Sequence, residues 1–389
     1  MWFPGHLARP AIAIKRRRPL KLFLYLLLLA CISVIPLELR HSDIYEEQKP
    51  QMIHVCLCIM GQNATQRAMV LLKSMLYFHG GVRSSHGDCQ TPAASSPCFA
   101  LTQCPRRSIH LHILTDGPTK PLVERNLKEI TFQRLEFSIY PLEPHLDKVN
   151  WIKTGHPAGL PGFTKILVPE ILPQTLRKVI VIDSDALFNE DIGNLWAHFE
   201  RFNSSQGQNS QECMDLKGCP LDQFKGKPSM GINSGLVLWD LTKARRSYWA
   251  KLWREAVKEL VAEQRVLYNC DQGIASRVLH KNPDFLYRLP CVWNVQLWHP
   301  EGSKYCPVLW PDRQSETENC GKSKANGPRR IIPALVHCNA DDKPSASDSV
   351  PDRNAELSQM NGYLSNIEMK QRFLESFHWF RNLPEICFT

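Results

Sequence analysis

The sequence predicts an α/β domain, with a mostly parallel sheet covered by helices on both faces, preceded by one N-terminal transmembrane helix. Two patterns carry the domain. Short β-branched runs alternate with longer stretches of helical periodicity, and Val179-Ile-Val-Ile is apolar at every position, as in a strand buried on both sides. A third pattern carries the membrane helix: six basic residues stand ahead of a single apolar run. With 389 residues, 43% hydrophobic and 22% charged, the chain has a globular composition and enough length for a sizeable core, which excludes disordered, fibrous and multi-span classes.

Residues 1–21 hold Arg9, Lys15, Arg16, Arg17, Arg18 and Lys21 and no acid, so +6 of the net +9 lies there and the rest of the chain carries only +3. Leu22 to Leu37 follow without a charge. Positive charge on the N-terminal side of one apolar run keeps that side cytoplasmic and translocates the remainder. The expected order is a cytoplasmic tail over 1–21, a signal anchor over 20–37, a stem over 38–50 and a lumenal domain over 51–389, in a single-pass type II protein of the Golgi membrane. A cleaved signal peptide is the competing reading, because the run is short and Ala30 and Ser33 are small. The nearly balanced body has no basic stripe, so no nucleic-acid partner is expected.

The 14 cysteines agree with export. Cys31 lies in the apolar run, while Cys89, Cys98, Cys104, Cys213 and Cys219 sit in polar stretches and read as disulfide partners with connectivity left open. No CxxC pair recurs, so zinc spacing is absent. The sequons Asn63-Ala-Thr and Asn203-Ser-Ser fit the same compartment.

In chain order, residues 53–60 and 108–115 read as strands around a helix at 64–78, where Met69, Leu72 and Leu76 recur at helical spacing. A strand at 135–142 is followed by a short helix at 163–172, weakened by Pro169, and by the strand at 178–183. Then come a strand at 234–241, a long helix at 243–261 and a shorter one at 271–280. Residues 80–107, 203–229 and 302–333 are rich in Gly, Ser, Pro and polar residues and read as surface insertions. A helix over 356–381, ending in Phe373, Phe377, Trp379 and Phe380, is expected to close the domain.

The sharpest chemical feature is Val179-Ile-Val-Ile-Asp183-Ser-Asp185. Two carboxylates leave a buried strand at its carboxyl end, where open α/β sheets bind ligands, and such a pair can hold Mn²⁺ or Mg²⁺ against a diphosphate. Capping of the next helix by one Asp is the alternative. Gly231-Ile-Asn233-Ser-Gly235 reads as a polar turn opening a strand, with Asn233 able to bond a sugar hydroxyl. Asp271 and Gln272 stand at a helix start, where capping competes. His337 follows an apolar run and offers a histidine ligand, with Lys343 six residues later available for phosphate charge; taken alone, His337 reads as a structural histidine. Lys165 stands on an otherwise apolar helix, where snorkelling is the plainer explanation.

Together these residues resemble the glycogenin-like retaining, nucleotide-sugar-dependent glycosyltransferases over about residues 52–384. The xylosyltransferase domain of the LARGE-type enzymes is a closer match through Leu72-Lys-Ser-Met-Leu, Val149-Asn-Trp151-Ile, Asn194-Leu-Trp196 and, above all, Leu289-Pro-Cys-Val-Trp293-Asn-Val-Gln-Leu297. The resemblance implies the GT-A fold, with Asp183, Asp185 and His337 on Mn²⁺ (or Mg²⁺). It implies Lys343 and Ser184 at the diphosphate with Lys165 beside them, and Asn233, Asp271 and Gln272 around the transferred sugar. It places the nucleotide on the turn Gly61-Gln-Asn63-Ala64, which leaves Asn203 as the better glycosylation acceptor. The implied donor is UDP-xylose and the implied acceptor a glycan or glycoprotein hydroxyl, with anomeric configuration retained. Two departures stand out: Ala340 and Ser345 replace residues that relatives carry as glycine and tryptophan near the late lysine. The second, glucuronyl-adding domain of LARGE-type enzymes is expected to be absent. UDP-glucose or UDP-galactose as donor, or an inactive lumenal UDP-binding scaffold, are the alternatives.

Overall fold

The computed structural model describes residues 52–80, 107–202, 208–212, 232–297, 306, 308, 310, 332–339, 343–345 and 366–388. The predicted tail, anchor and stem, Asn203, and the loop cysteines 89, 98, 104, 213 and 219 lie outside them. Among the described residues, no helix is long and apolar enough to cross a membrane. Met52–Thr389 forms one compact unit.

Strand β1 (Ile53–Ile59) leads into helix α1 (Gly61–Phe78), which begins three residues earlier than its periodicity predicts. β2 (Ile109–Thr115), α2 (Lys120–Glu129), β3 (Leu135–Pro141) and α3 (Glu143–Leu146) follow. The short helix α4 (Thr164–Ile171) contains Pro169, and β4 (Lys178–Ile182) follows it. β5 (Ala186–Phe188), α5 (Ile192–Trp196) and β6 (Gln208–Glu212) precede β7 (Ile232–Asp240). The predicted long helix is two helices, α6 (Leu241–Arg246) and α7 (Trp249–Gln264), because Tyr248 between them takes φ 58°, a left-handed backbone that no α-helix continues through. After α8 (Cys270–Lys281) come β8 (Leu286–Arg288), β9 (Val295–Gln296), β10 (Leu335–His337) and α9 (Asn366–Asn382).

Seven strands form one sheet in the order β3-β2-β1-β4-β7-β6-β8. The pairs around β1 and β2 are parallel, whereas β7 runs antiparallel to both β4 and β6. β5, β10 and β9 make a second, three-stranded sheet. The insertion predicted over 203–229 therefore contributes an inner strand, β6, which its polar sequence Gln-Asn-Ser-Gln-Glu conceals. Paired on both sides, β6 is held by backbone hydrogen bonds rather than by an apolar pattern.

The apolar run on β4 explains the layering. Val179 and Val181 point into a core with Trp239, Trp253 and Ile166, while Ile180 and Ile182 point into the other core with Leu57, Leu76 and Phe188. All four are essentially inaccessible, and each contributes about 1.5–3 kcal/mol on burial. Helix α9 covers α1: Tyr77 packs edge-on against Trp379 and Phe380, and buried Lys73 donates to the Leu383 carbonyl at 2.5 Å while pairing with Glu385 at 2.8 Å. The lysine thus satisfies carbonyls left over at the end of α9. Its expected role as a closing helix holds for 366–382, and residues 356–365 lie outside those described. Cys291 and Cys306 form a disulfide.

The face of β1 and β2 that carries Cys56 and Leu114 also carries a histidine strip. His54 Nδ1 lies 3.0 Å from His112 Nε2, and His112 Nδ1 lies 3.0 Å from the Tyr140 hydroxyl. Burial lowers His112 to about 3, helped by neighbouring His110, and lowers His54 to about 4 for the same reasons. Both are therefore neutral when folded but protonate near 6.5 when unfolded. Stability from this strip is complete above pH 6.5 and declines as pH falls from there toward 3–4, because the unfolded chain binds the extra protons. Between pH 6.5 and 5, His112 alone is expected to cost about 2 kcal/mol, and His112→Phe should flatten the decline by that amount in denaturant titrations. Equal pH slopes for the variant and the natural chain would contradict this.

Candidate active site

A cleft of about 1030 Å³ opens at the carboxyl ends of β1 and β4. It collects Ala64, Lys165, Asp183, Ser184, Asp185, Asn233, Asp271, Gln272, His337 and Lys343, residues spread over 280 positions of sequence. Asn63 is the exception among the predicted site residues. It is exposed in the first turn of α1 and does not line the cleft, while Ala64, one position on, does. The stretch predicted as a nucleotide-holding turn is instead the first helical turn, because the Gly61 N–H is taken up by the Thr119 hydroxyl at 2.8 Å.

Three elements build the candidate metal centre. Asp183 and Asp185 flank Ser184 between β4 and β5, and β10 pairs antiparallel with β5 so that His337 stands opposite Ala186. His337 Nε2 lies 3.3 Å from Asp185 and 3.6 Å from Asp183, and ligand atoms from all three lie within 4.8 Å of one another. Asp185 and His337 are buried while Asp183 is partly open to the cleft. Two hard oxygen donors and an imidazole nitrogen converging on one point suit Mn²⁺ or Mg²⁺. His337 Nδ1 is buried without a hydrogen-bond partner, which leaves the opposite nitrogen as the one facing the carboxylates.

Two lysines flank these acids. Burial opposes the charge on Asp185, but His337 and Lys343 outweigh it and hold its carboxyl below the usual range, with Lys343 Nζ 2.6 Å from Oδ2. Lys343 itself is 44% exposed, so its ammonium can reach a ligand in the cleft. Lys165 behaves differently. Burial opposes its charge too, yet Asp183 at 2.9 Å and Asp271 at 3.7 Å hold its pKa above the ordinary value. It also donates to the Ser234 carbonyl at 3.0 Å. With its ammonium on three groups, Lys165 ties the carboxylates of β4 and α8 together at the cleft wall, and its buried head does not snorkel to water. Asp271 is buried at the start of α8, where desolvation raises its pKa against the pull of Lys165.

The stretch Ile232-Asn233-Ser-Gly235 lies inside β7 rather than in a turn before it. Gly235 is required there for space: a Cβ would sit 2.0 Å from His337 Cε1. Asn233 Oδ1 accepts from the Gly235 N–H at 2.9 Å, and Gln272 Oε1 stands 3.5 Å from the Ser234 N–H. Arg67, Gln296 and Asn339 are among the cleft residues that had no role assigned from sequence. Gln296 belongs to the Trp293-Asn-Val-Gln-Leu string whose specificity was visible without its purpose.

Comparison with known proteins bears on the chemistry. A family model described as Glycosyl transferase family 8 matches residues 104–344. The xylosyl- and glucuronyltransferase LARGE2 of Mus musculus is 28% identical over 253 residues, covering 64% of this chain and 33% of the relative. LARGE1 of Homo sapiens is 27% identical over 269 residues, covering 67% and 31% respectively. The chain thus spans about a third of the length of these curated relatives. Among solved structures, mouse xyloside xylosyltransferase 1 in its apo form superposes with a TM-score of 0.50 at 16% identity, covering 76% of this chain and 99% of that one. That likeness shows a shared GT-A-like α/β fold.

Proposed function

Because the chain belongs to glycosyl transferase family 8, we propose that it transfers xylose from UDP-xylose to a glycan or glycoprotein hydroxyl with retention of configuration. The observation that carries the reading is the Asp183–Asp185–His337 cluster at the mouth of β4, in a cleft with an exposed-side cation, Lys343. Asp183, Asp185 and His337 would hold a divalent cation, which would supply positive charge against the negative charge developing on a leaving diphosphate. Lys343 exchanges its pairing with Asp185 for a phosphate oxygen and adds a second positive centre. Asp271, held in place by Lys165, is a buried carboxylate in the same cleft, and it stabilises positive charge developing on the sugar carbon. Asn233 and Gln272 fix the sugar's orientation.

The Lys/Arg-rich residues 1–21 ahead of the apolar run support a type II anchor over 20–37, with the lumenal domain in the Golgi. The test is a panel of UDP-xylose, UDP-glucose and UDP-galactose with the purified full-length chain, reading UDP release with Mn²⁺, with Mg²⁺ and with chelator. Mn²⁺-dependent release, fastest from UDP-xylose, is expected. Tight Mn²⁺-dependent UDP binding with no release from any donor or transfer to any acceptor would identify a binding protein instead.

A further inference from the structure

The string Trp293-Asn-Val-Gln-Leu297 ends in a polarised chain of side-chain amides on one wall of the cleft. Asn233 Oδ1 accepts from the Gly235 backbone N–H at 2.9 Å and from Asn294 Nδ2 at 2.9 Å. Its Nδ2 must then face the other way, and it donates to Gln296 Oε1 at 3.0 Å. From the opposite side, Asn339 Oδ1 accepts from the Leu297 backbone N–H at 3.1 Å, and its Nδ2 donates to the same Gln296 Oε1 at 3.1 Å. A backbone N–H cannot accept, so the two backbone donors at the ends of the chain dictate every amide orientation between them. Both lone pairs of Gln296 Oε1 are consumed, and Gln296 Nε2 is left with two N–H groups and no partner among the described residues.

Gln296 lines the cleft and stands in parallel register with His337 on the neighbouring strand, so both side chains leave the same face of the small sheet. Resting on the glycosyltransferase reading, we infer that Gln296 Nε2 is a sugar-reading donor. It gives an N–H to a hydroxyl or ring oxygen of a pyranose held beside the metal ligands, and Asn233, Asn294 and Asn339 serve to aim it. The arrangement suits discrimination, since a donor fixed on the cleft wall and covered by a bound sugar is left unpaired by any sugar that lacks an oxygen there. Donor sugar and acceptor sugar offer the same chemistry.

Gln296→Glu separates aiming from reading. A carboxylate keeps an oxygen for the N–H groups of Asn233 and Asn339, so the amide chain survives, but the outward donor is gone. Gln296→Met removes both. In the full chain with Mn²⁺ and UDP-xylose, water as acceptor reports the donor sugar, and transfer to a panel of p-nitrophenyl pyranosides reports the acceptor. Isothermal titration of UDP with Mn²⁺ serves as the control for cleft integrity. Gln296→Glu is expected to lower kcat/KM about 10-fold or more with UDP affinity unchanged. A loss in hydrolysis identifies the donor sugar as the partner, and a loss in transfer alone identifies the acceptor. Full activity of Gln296→Glu in both assays, with only Gln296→Met impaired, would reduce Gln296 to a structural amide and overturn the inference. If the natural chain turns over no UDP-sugar, the glycosyltransferase reading fails first, which is a different result.

Discussion

Asp185→Asn in the full-length chain is expected to lower Mn²⁺-dependent release of UDP from UDP-xylose by on the order of 10³-fold. Asp185 is 3% exposed and lies between His337 and Lys343, so its charge is fixed in place by two partners before any ligand arrives. Asparagine keeps the shape and one acceptor oxygen but removes the negative charge that would bind a cation. The fold should tolerate the change, because Lys343 is 44% exposed and can turn to water. Calorimetric titration should show Mn²⁺ affinity falling while the denaturation midpoint moves little. Unaltered metal-dependent turnover in this variant would remove Asp185 from the metal centre.

Gly235→Ala should be nearly as damaging without altering a single charge. The added methyl would meet His337 Cε1 at 2.0 Å, His337 Nδ1 at 2.3 Å and Asn233 Oδ1 at 2.9 Å. The Gly235 backbone is not in the left-handed region, so the demand is for space rather than for a special φ. Nor can the backbone retreat, since the Gly235 carbonyl accepts from the Asp183 N–H at 2.8 Å. The imidazole must therefore move away from Asp183 and Asp185, or β7 must separate from β4. Either outcome is expected to reduce turnover at least 100-fold, raise the Mn²⁺ concentration needed for half activity, and destabilise the fold by about 2 kcal/mol. Activity and metal dependence matching the natural chain would show that the imidazole does not need this position.

Much of this site was legible from sequence because its parts sit where local pattern is strong. Asp183 and Asp185 end the most apolar run in the body, Asp271 opens a helix, and His337 follows another apolar stretch, so strand ends alone announced their direction. What failed was the reading of residues whose meaning depends on a neighbour across the fold. Lys165 looked like a snorkelling or phosphate-binding cation, but only the packing of α4 against β4 and α8 delivers it to Asp183 and Asp271. Asn63 sits in the right segment and on the wrong side of it. β6 carries no apolar periodicity and was hidden in a polar stretch, since its place is set by backbone pairing with β7 and β8.

The sequence by itself determined the class of fold and the strand end at which Asp183 and Asp185 stand, which follow from short-range facts: residue periodicity, β-branching and the side chains that terminate a strand. The grouping of His337 with those two acids came from the resemblance to glycosyltransferases, and the structure brings the three within 4.8 Å of one another. Tertiary structure alone decided the orientation of each amide in the Asn233–Gln296–Asn339 chain, the assignment of Lys165 to the carboxylates and the steric need for Gly235. The amides and Gly235 depend on which atoms β7, β9 and β10 bring within hydrogen-bond or van der Waals distance, and Lys165 depends on the packing of α4 against β4 and α8; contacts between separate segments leave no periodic trace in the chain.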